Sequence, residues 1–415
     1  MTLSEELQWR GFLNQTTLED ITKLDTEKRT FYMDFDASSD SQAVGNLAAM
    51  MFIWTFIRHG HDPIILTGGS TSLVGDPGGK TEERQLQAVE TIAHNTECAR
   101  IQIEKILSGQ KFRTVNNLDW TKDVKLLDFL RDIGKNFSIT NMIQRDFVAD
   151  RIGDGGTGLS YAEFSYTLLQ AYDYLHLFDT YGCTLQLGGS DQWGNCLSGV
   201  ELIRKTRGAE VDVVTLNLVI DKTTGRKFGK SEGGAVWLDE TKTSPFKFYQ
   251  FWLNVGDTDV IDYLKIYTIL SKEEIDALEE EMKTNAASRP AQKRLAYEVT
   301  KIVHGDERAA GVKRISEALF GLISYDELQA DDFIQLEREL TTKIVESPSS
   351  IIDFLVDTEL ASSRSEARRF LESSAIHVNG SQLPLDQADL MVENFIHGYA
   401  VVKRGKNTVA LAKQK

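Results

Sequence analysis

Three polar side chains, Tyr166, Gln170 and Asp173, fall at i, i+4 and i+7 in the segment S-Y-T-L-L-Q-A-Y-D. On a helix that spacing aims a phenol, an amide and a carboxylate in one direction. A solvated helix face would carry the same pattern, but Leu168, Leu169, Leu175 and Leu177 leave most of this segment apolar. A polar stripe on a buried helix must meet hydrogen-bond partners, and a small polar ligand supplies them. Three loops rich in small residues add a second kind of chemistry. Asp36–Asn46 reads D-A-S-S-D-S-Q-A-V-G-N, Thr67–Lys80 reads T-G-G-S-T-S-L-V-G-D-P-G-G-K, and Gly188–Asn195 reads G-G-S-D-Q-W-G-N. Each follows a strand-like run, and a loop that opens a helix offers backbone N–H groups and a positive dipole end to a phosphate. One such loop is a weak signal; three point to a shared crevice of nucleotide size. A fourth loop, Arg226–Gly234, reads R-K-F-G-K-S-E-G-G and places Lys227 and Lys230 three apart. Lysines on a glycine-flanked loop suit a grip on a triphosphate as charge develops, although a basic surface hairpin has the same composition.

These residues need elements to hold them. Strands are expected at Thr30–Phe35, Pro63–Leu66, Thr184–Leu187 and Val211–Ile220, with helical periodicity over Gly45–Arg58, Glu82–Leu107, Val124–Lys135 and Tyr161–Phe178. Alternation of this kind makes an α/β fold with a parallel sheet, and the glycine loops then sit at strand ends, where such sheets bind ligands. From Ser244 to Phe320 the pattern is purely helical. Residues 326–348 are acidic and weakly periodic, as expected of a linker with room for one helix. Residues 349–415 form a compact α+β segment. The expected division is therefore 1–222, 223–325, 326–348 and 349–415.

The 415 residues are enough for two or three domains, and hydrophobic residues at 41% exclude global disorder. Lys and Arg total 46 against 62 Asp and Glu, a net charge of −16, which argues against a protein that coats nucleic acid indiscriminately. Residues 349–415 nevertheless balance eight basic against eight acidic residues, and Arg364, Arg368 and Arg369 recur on one helix face. Taken alone, such a run reads as ordinary solvated surface. Cys98, Cys183 and Cys196 have no metal-ligand or C-x-x-C spacing, so they are expected as reduced thiols of a cytoplasmic protein. The N-terminus has no signal-peptide pattern, and the longest uncharged run, Ser41–Ile57, is shorter than the ~20 residues a bilayer demands. No membrane association is expected.

Taken together, the motifs match a family. K-F-G-K-S resembles the K-M-S-K-S signature of class I aminoacyl-tRNA synthetases. With F-S-Y-T-L-L-Q-A-Y-D, L-Q-L-G-G-S-D-Q-W-G-N and S-P-F-K-F-Y-Q-F-W it resembles the bacterial tyrosyl-tRNA synthetases, over essentially the whole chain. S-R-S-E-A-R-R-F-L followed by A-I-H-V-N-G is similar to an S4-type RNA-binding domain. The resemblance implies a Rossmann-like catalytic domain, a helical anticodon-binding domain and a small S4-like domain at the C-terminus. It implies L-tyrosine, ATP with Mg2+ and tRNA(Tyr) as substrates, no metal held by the protein, and a homodimer formed around Leu126–Asn141. By the same resemblance Tyr32 and Asp173 would hydrogen-bond the substrate phenol. Tyr166, Gln170 and Asp76 would hold its ammonium group, and Gln192 its carboxylate side. Asp36, Gly45, Asn46, Gly188, Gly189, Asp191 and Lys230 would meet ATP, with Asp191 on the ribose. Lys227, Lys230, Ser231, Ser38 and Asn46 would serve activation. Arg204 and Lys205 would meet the acceptor end of tRNA, and Arg364, Arg368 and Arg369 its body. Phenylalanine would leave Tyr32 and Asp173 unpaired, and this enzyme family is itself the standard case of such discrimination.

One signature departs from the family. Members read close to Y-x-G-F-D-P-T-x-x-S-L-H-x-G-H, or with Asn in the final place, whereas Tyr32–Asn46 reads Y-M-D-F-D-A-S-S-D-S-Q-A-V-G-N. Asp34 stands at the glycine, Ala37 at the proline, Ser38 at the threonine, Gln42 at the leucine and Ala43 at the first histidine. Ala43 has no donor to offer a phosphate, and one lost transition-state donor typically costs ~10²–10³ in rate. Asp34 adds a carboxylate whose repulsion toward the triphosphate is expected to slow activation further. The expectation is a tyrosine–tRNA ligase with impaired activation; a non-catalytic RNA-binding relative is the alternative.

Overall fold

The computed structural model describes the chain except residues 78–85, 145, 154, 223–224, 226–227, 232–233, 384–388 and 406–407, and the side chains at 146, 147, 150, 230 and 231. The described chain divides into two units, Met1–Thr243 with Val255–Leu295, and Ser244–Asn254 with Ala296–Lys415.

The first unit is built on a six-stranded sheet. Its strands are β1 (Leu13–Thr16), β2 (Thr30–Asp36), β3 (Asp62–Gly68), β4 (Arg113–Asn116), β5 (Leu185–Gly189) and β6 (Asp212–Leu216). They lie in the order β1-β6-β5-β2-β3-β4. All neighbours run parallel except β1, which pairs antiparallel with β6. Strand β3 is buried from Pro63 to Gly68, as a parallel strand covered on both faces must be. The uncharged run forms the helix Val44–Arg58, with Phe52 packed on Phe12 and Phe56 on Phe31 at ring distances of 5.4 and 5.3 Å. This helix starts directly after the loop that leaves β2.

Two strands escape sequence reading. Leu13–Thr16 and Arg113–Asn116 are short edge strands with polar sequences, L-N-Q-T and R-T-V-N, and show no apolar alternation. The helix expected at Val124–Lys135 is broken into a short α-turn at Leu126–Asp128, a π-turn at Phe129–Ile133 and a 3₁₀ turn at Gly134–Asn136. Leu126 and Leu127 face solvent while Phe129 and Ile133 pack on the core, so only the end of that segment is anchored. Of the helix expected at Glu82–Leu107, residues 82–85 lie outside the described chain, and the helix runs from Val89 to Ile106.

In the second unit the helices Pro245–Leu253, Asp306–Leu319 and Ala330–Glu339 accompany a five-stranded sheet. Residues 326–348, expected as a linker with room for one helix, hold that helix and a strand besides. Ala330–Glu339 buries Phe333 and Leu336, and Thr341–Val345 is a strand parallel to Thr408–Gln414. Its burial is irregular because it lies at the sheet edge, which explains why its periodicity is faint. Glu337 of that helix accepts hydrogen bonds from Lys413 and from the Tyr399 hydroxyl.

Within the first unit, a buried arginine joins distant segments. Arg10 pairs with Glu6 at 2.7 Å and donates to the carbonyls of Lys265, Thr268 and Leu270 at 2.6–2.9 Å. Burial works against the Glu6 carboxylate, yet hydrogen bonds from His59 and Arg10 hold it below its ordinary range. Arg10→Ala takes from the buried Glu6 carboxylate one of its basic partners, leaving His59 and Arg58, and strands three carbonyls, so a loss of about 3–5 kcal/mol is expected in urea unfolding. The exposed pair Arg131–Asp132 serves as control, and Arg131→Ala is expected to leave the midpoint unchanged. Equal midpoints for the two variants would contradict the role given to Arg10.

Candidate functional site

Side chains of a strand alternate faces, so Tyr32, Asp34 and Asp36 of β2 share one. The helix Tyr161–Tyr181 faces them. Ser160 caps its N-terminus by accepting from the Glu163 N–H, and Gly182, at φ 64°, ends it in the left-handed conformation. As the spacing predicts, Tyr166, Gln170 and Asp173 lie together and are buried.

Asp173 is held from both sides. Trp120 Nε1 donates to one of its oxygens at 2.8 Å and Asn117 Nδ2 to the other at 2.9 Å. Burial raises the Asp173 carboxyl to about 7, against the pull of these two donors. Asn117 also accepts from the Ser70 N–H at 2.7 Å and donates to Thr71 Oγ1, which ties the loop after β3 to the pocket. Neither Asn117 nor Trp120 is singled out by sequence. They belong to N-N-L-D-W after a strand too short to recognise, and that strand was the signal that could have found them.

Several buried polar atoms on these walls have no partner among the described residues: Tyr32 Oη, Gln170 Oε1 and both amide atoms of Gln186. Gln186 lies beside Tyr32 in the β2–β5 register and is a second residue sequence reading missed. A buried polar atom without a partner is unfavourable by ~1–3 kcal/mol. A ligand that carries a hydroxyl and an ammonium group, as tyrosine does, is matched to such a lining. Asp76 is buried nearby and accepts from Gln192 Nε2 at 2.5 Å, and Gln192 Oε1 in turn accepts from Asn195. Tyr166 faces Asp36, Asp76, Asp34 and Asp173. The candidate tyrosine residues Tyr32, Asp76, Tyr166, Gln170, Asp173 and Gln192 therefore gather in one region.

Beside them is a cavity of about 340 Å³ whose lining includes Asp34, Asp36, Gly45, Asn46 and Gly189. A Cβ at Gly188 would come within 3.1 Å of Cys196 Sγ, which leaves little room for a side chain at that strand end, while one at Gly189 would meet the movable tip of Asp191 at 2.7 Å. Asp191 itself is exposed at the start of the following turn. Ser38 is exposed and does not belong to the cavity lining. Asn46 Oδ1 accepts from the Ala43 N–H at 3.1 Å, half of a capping box at the helix start. Lys227 lies outside the described residues. Lys230 and Ser231 pair through their backbone with Ala235 and Gly234.

The altered signature and the basic loop are joined at the base. The Val44 N–H donates to Val236 O at 3.0 Å and the Leu238 N–H to Gln42 O at 2.9 Å. Gly229, at φ +85°, packs so closely that a Cβ would meet Val44 Cβ at 3.3 Å. Gln42 is buried and its N–H donates to Gln102. Asp34 is half-buried. Burial first, then the neighbouring Asp36 and Asp173, raises its carboxyl to about 8. A shift in that direction weakens the repulsion expected of Asp34 near neutral pH.

The candidate RNA contacts are solvent-facing. Arg204 and Lys205 end the helix Trp193–Arg207 and each pairs with Glu201 at 3.0 Å; Lys205 also donates to Asn136 O. In the second unit Arg364, Arg368 and Arg369 are exposed on the helix Arg364–Glu372, with Arg364 paired to Asp353 at 2.9 Å. Among the described residues no group of three or more His, Cys, Asp or Glu could hold a metal ion. No described helix is long and apolar enough to cross a membrane.

Known proteins share this arrangement. Residues 24–321 match the family model for class I tRNA synthetases (W and Y). Residues 332–412 match the tyrosine–tRNA ligase SYY-like C-terminal domain. The tyrosine–tRNA ligase of Geobacillus kaustophilus is 47% identical, with 98% of each chain covered. Tyrosine–tRNA ligase 2 of Bacillus cereus is 43% identical over the full length of both. Among solved structures, a C-terminally truncated mitochondrial tyrosyl-tRNA synthetase of Aspergillus nidulans superposes with a TM-score of 0.70 at 30% identity, covering 77% of this chain and 94% of that one. The chain belongs to the tyrosyl-tRNA synthetase family of the class I aminoacyl-tRNA synthetases.

Proposed function

We propose that the protein is a cytoplasmic tyrosine–tRNA ligase that activates L-tyrosine with Mg-ATP and esterifies tRNA(Tyr). The observation that carries this reading is the buried wall where the unpartnered Tyr32 hydroxyl and the doubly held Asp173 lie together. A phenolic hydroxyl has both a donor and an acceptor role to fill there, and an indole has no matching hydroxyl. Asp76, Tyr166 and Gln170 take the α-ammonium group, and Gln192, fixed by Asp76 and Asn195, takes the carboxylate side.

Activation joins a tyrosine carboxylate oxygen to the α-phosphorus and breaks the bond from that phosphorus to the bridging oxygen. Pyrophosphate leaves with that electron pair. The terminal ribose hydroxyl of tRNA then attacks the tyrosyl carbonyl carbon, loses its proton, and AMP departs. No side chain becomes covalently attached in either step. Gly188 and Gly189 admit the adenylate, Asp36, Gly45, Asn46 and Asp191 bind it, and Lys227, Lys230, Ser231 and Ser38 serve the departure of pyrophosphate. The pocket works by positioning and by charge complementarity. Arg204 and Lys205 serve the acceptor end of tRNA, and Arg364, Arg368 and Arg369 its body.

Activation is slow in this reading because the helix Val44–Arg58 starts at Ala43, which has no side-chain donor. The same observation favours a second reading, an RNA-binding relative without catalysis. Tyrosine-dependent ATP–pyrophosphate exchange separates the two. Slow but measurable exchange is expected, rising ~10²–10³-fold in Ala43→His. Wild-type exchange at ordinary synthetase rates would contradict impairment, and none in either protein would favour the second reading.

A second copy of the chain is the proposed cover for the apolar segment around Leu126–Asn141, where Leu126, Leu127 and Ile139 are 71%, 77% and 67% exposed. The protein is expected to sediment as a dimer and Leu127→Asp as a monomer; a monomeric wild type would refute this.

A further inference from the structure

Asp173 is held by two donors whose own footing differs. Asn117 is fixed by further hydrogen bonds, one from the Ser70 N–H and one to Thr71 Oγ1. The Trp120 side chain has a single polar atom, Nε1, which donates to Asp173 at 2.8 Å. An indole N–H lies in the plane of its ring, so what lies against the ring face decides where that bond points. The backbone gives little help. Trp120 is half-buried and belongs to the four-residue helix Leu118–Thr121, which follows the edge strand β4.

The ring stacked on that face is His176. The two ring centroids are 4.4 Å apart and the planes are inclined by 13°. His176 follows Asp173 by three residues on the helix Tyr161–Tyr181, so the two share a face about one turn apart. The indole therefore lies along that face, its N–H edge toward Asp173 and its plane against the imidazole. His176 is half-buried, and burial, against the pull of Asp179, holds its imidazole below the ordinary range. At neutral pH the contact is thus predominantly one between two uncharged rings.

We propose that His176 is a positioning residue for tyrosine selection: stacked on Trp120, it fixes the plane in which the indole N–H meets Asp173. This rests on the phenol pocket of the function proposed above, in which Asp173 meets the substrate hydroxyl. Without the stacked ring the indole turns about its side-chain bonds, and a hydrogen bond weakens steeply as it bends. Asp173 then loses one of the two donors that aim it. In this account His176 touches neither tyrosine nor ATP and acts through Trp120 alone.

Equilibrium dialysis of labelled tyrosine against the full chain tests this. His176→Ala is expected to weaken tyrosine binding about fivefold, the size of one aromatic pair. His176→Phe gives up the Nε2 contact with Thr180 but keeps a flat ring, and is expected to bind tyrosine as the wild type does. Trp120→Phe removes the donor itself and is expected to lose about tenfold to a hundredfold. Adding His176→Ala to Trp120→Phe is expected to cost nothing further, since the bond that His176 aims is already gone. A general loosening of the fold would instead multiply the two single losses. Unchanged tyrosine binding in His176→Ala overturns the proposal. So does a His176→Phe variant as weak as His176→Ala, and so does a double variant whose loss is the product of the single ones. A wild type that binds no tyrosine overturns the phenol pocket itself, a different outcome from these.

Discussion

The site depends on one constraint: a row of polar groups on β2, buried at Tyr32 and half-buried at Asp34 and Asp36, faces a buried row on the helix Tyr161–Tyr181. Tyr32, Asp34 and Asp36 supply the first, Tyr166, Gln170 and Asp173 the second. Polar groups removed from water must be paired or must change charge state. Both responses are present. Asp173 is paired with Asn117 and Trp120, whereas burial and the neighbouring Asp36 and Asp173 push the Asp34 carboxyl up to about 8. Among the described residues Tyr32 Oη and Gln170 Oε1 have no partner, and in the function proposed above a tyrosine molecule supplies them.

The rest of the first unit serves that constraint. The parallel sheet delivers the ends of β2, β3 and β5 to one edge, so the loops after them converge. The loop after β3 is fixed through Asn117, and the loop after β5 through the close approach of Gly188 and Gly189. The altered signature is stitched to the segment that follows the basic loop by Val44–Val236 and Leu238–Gln42 hydrogen bonds. These bonds are made by the backbone alone, so they do not depend on the side chains that Gln42 and its neighbours present.

How much of this is legible beforehand follows from where each signal resides. The polar stripe of Tyr166, Gln170 and Asp173 shows at once because a helix converts spacing into direction, and the buried strand β3 shows because its apolar run is unbroken. Asn117, Trp120 and Gln186 do not show, since their roles arise from contacts across the sheet and not from any local pattern. The strand Thr341–Val345 hides in what reads as a linker because an edge position imposes no alternation. The state of Asp34 is the subtlest case: its repulsion follows from its type, but its upward shift depends on burial and on the carboxylates of Asp36, Asp173 and Asp76.

The central claim, a pocket built around a phenolic hydroxyl, is tested most directly by equilibrium binding of tyrosine and phenylalanine to the wild type and to Tyr32→Phe. Tyrosine is expected to bind the wild type more tightly by several orders of magnitude, and most of that preference is expected to vanish in the variant. Comparable affinities of the wild type for the two amino acids would contradict the account.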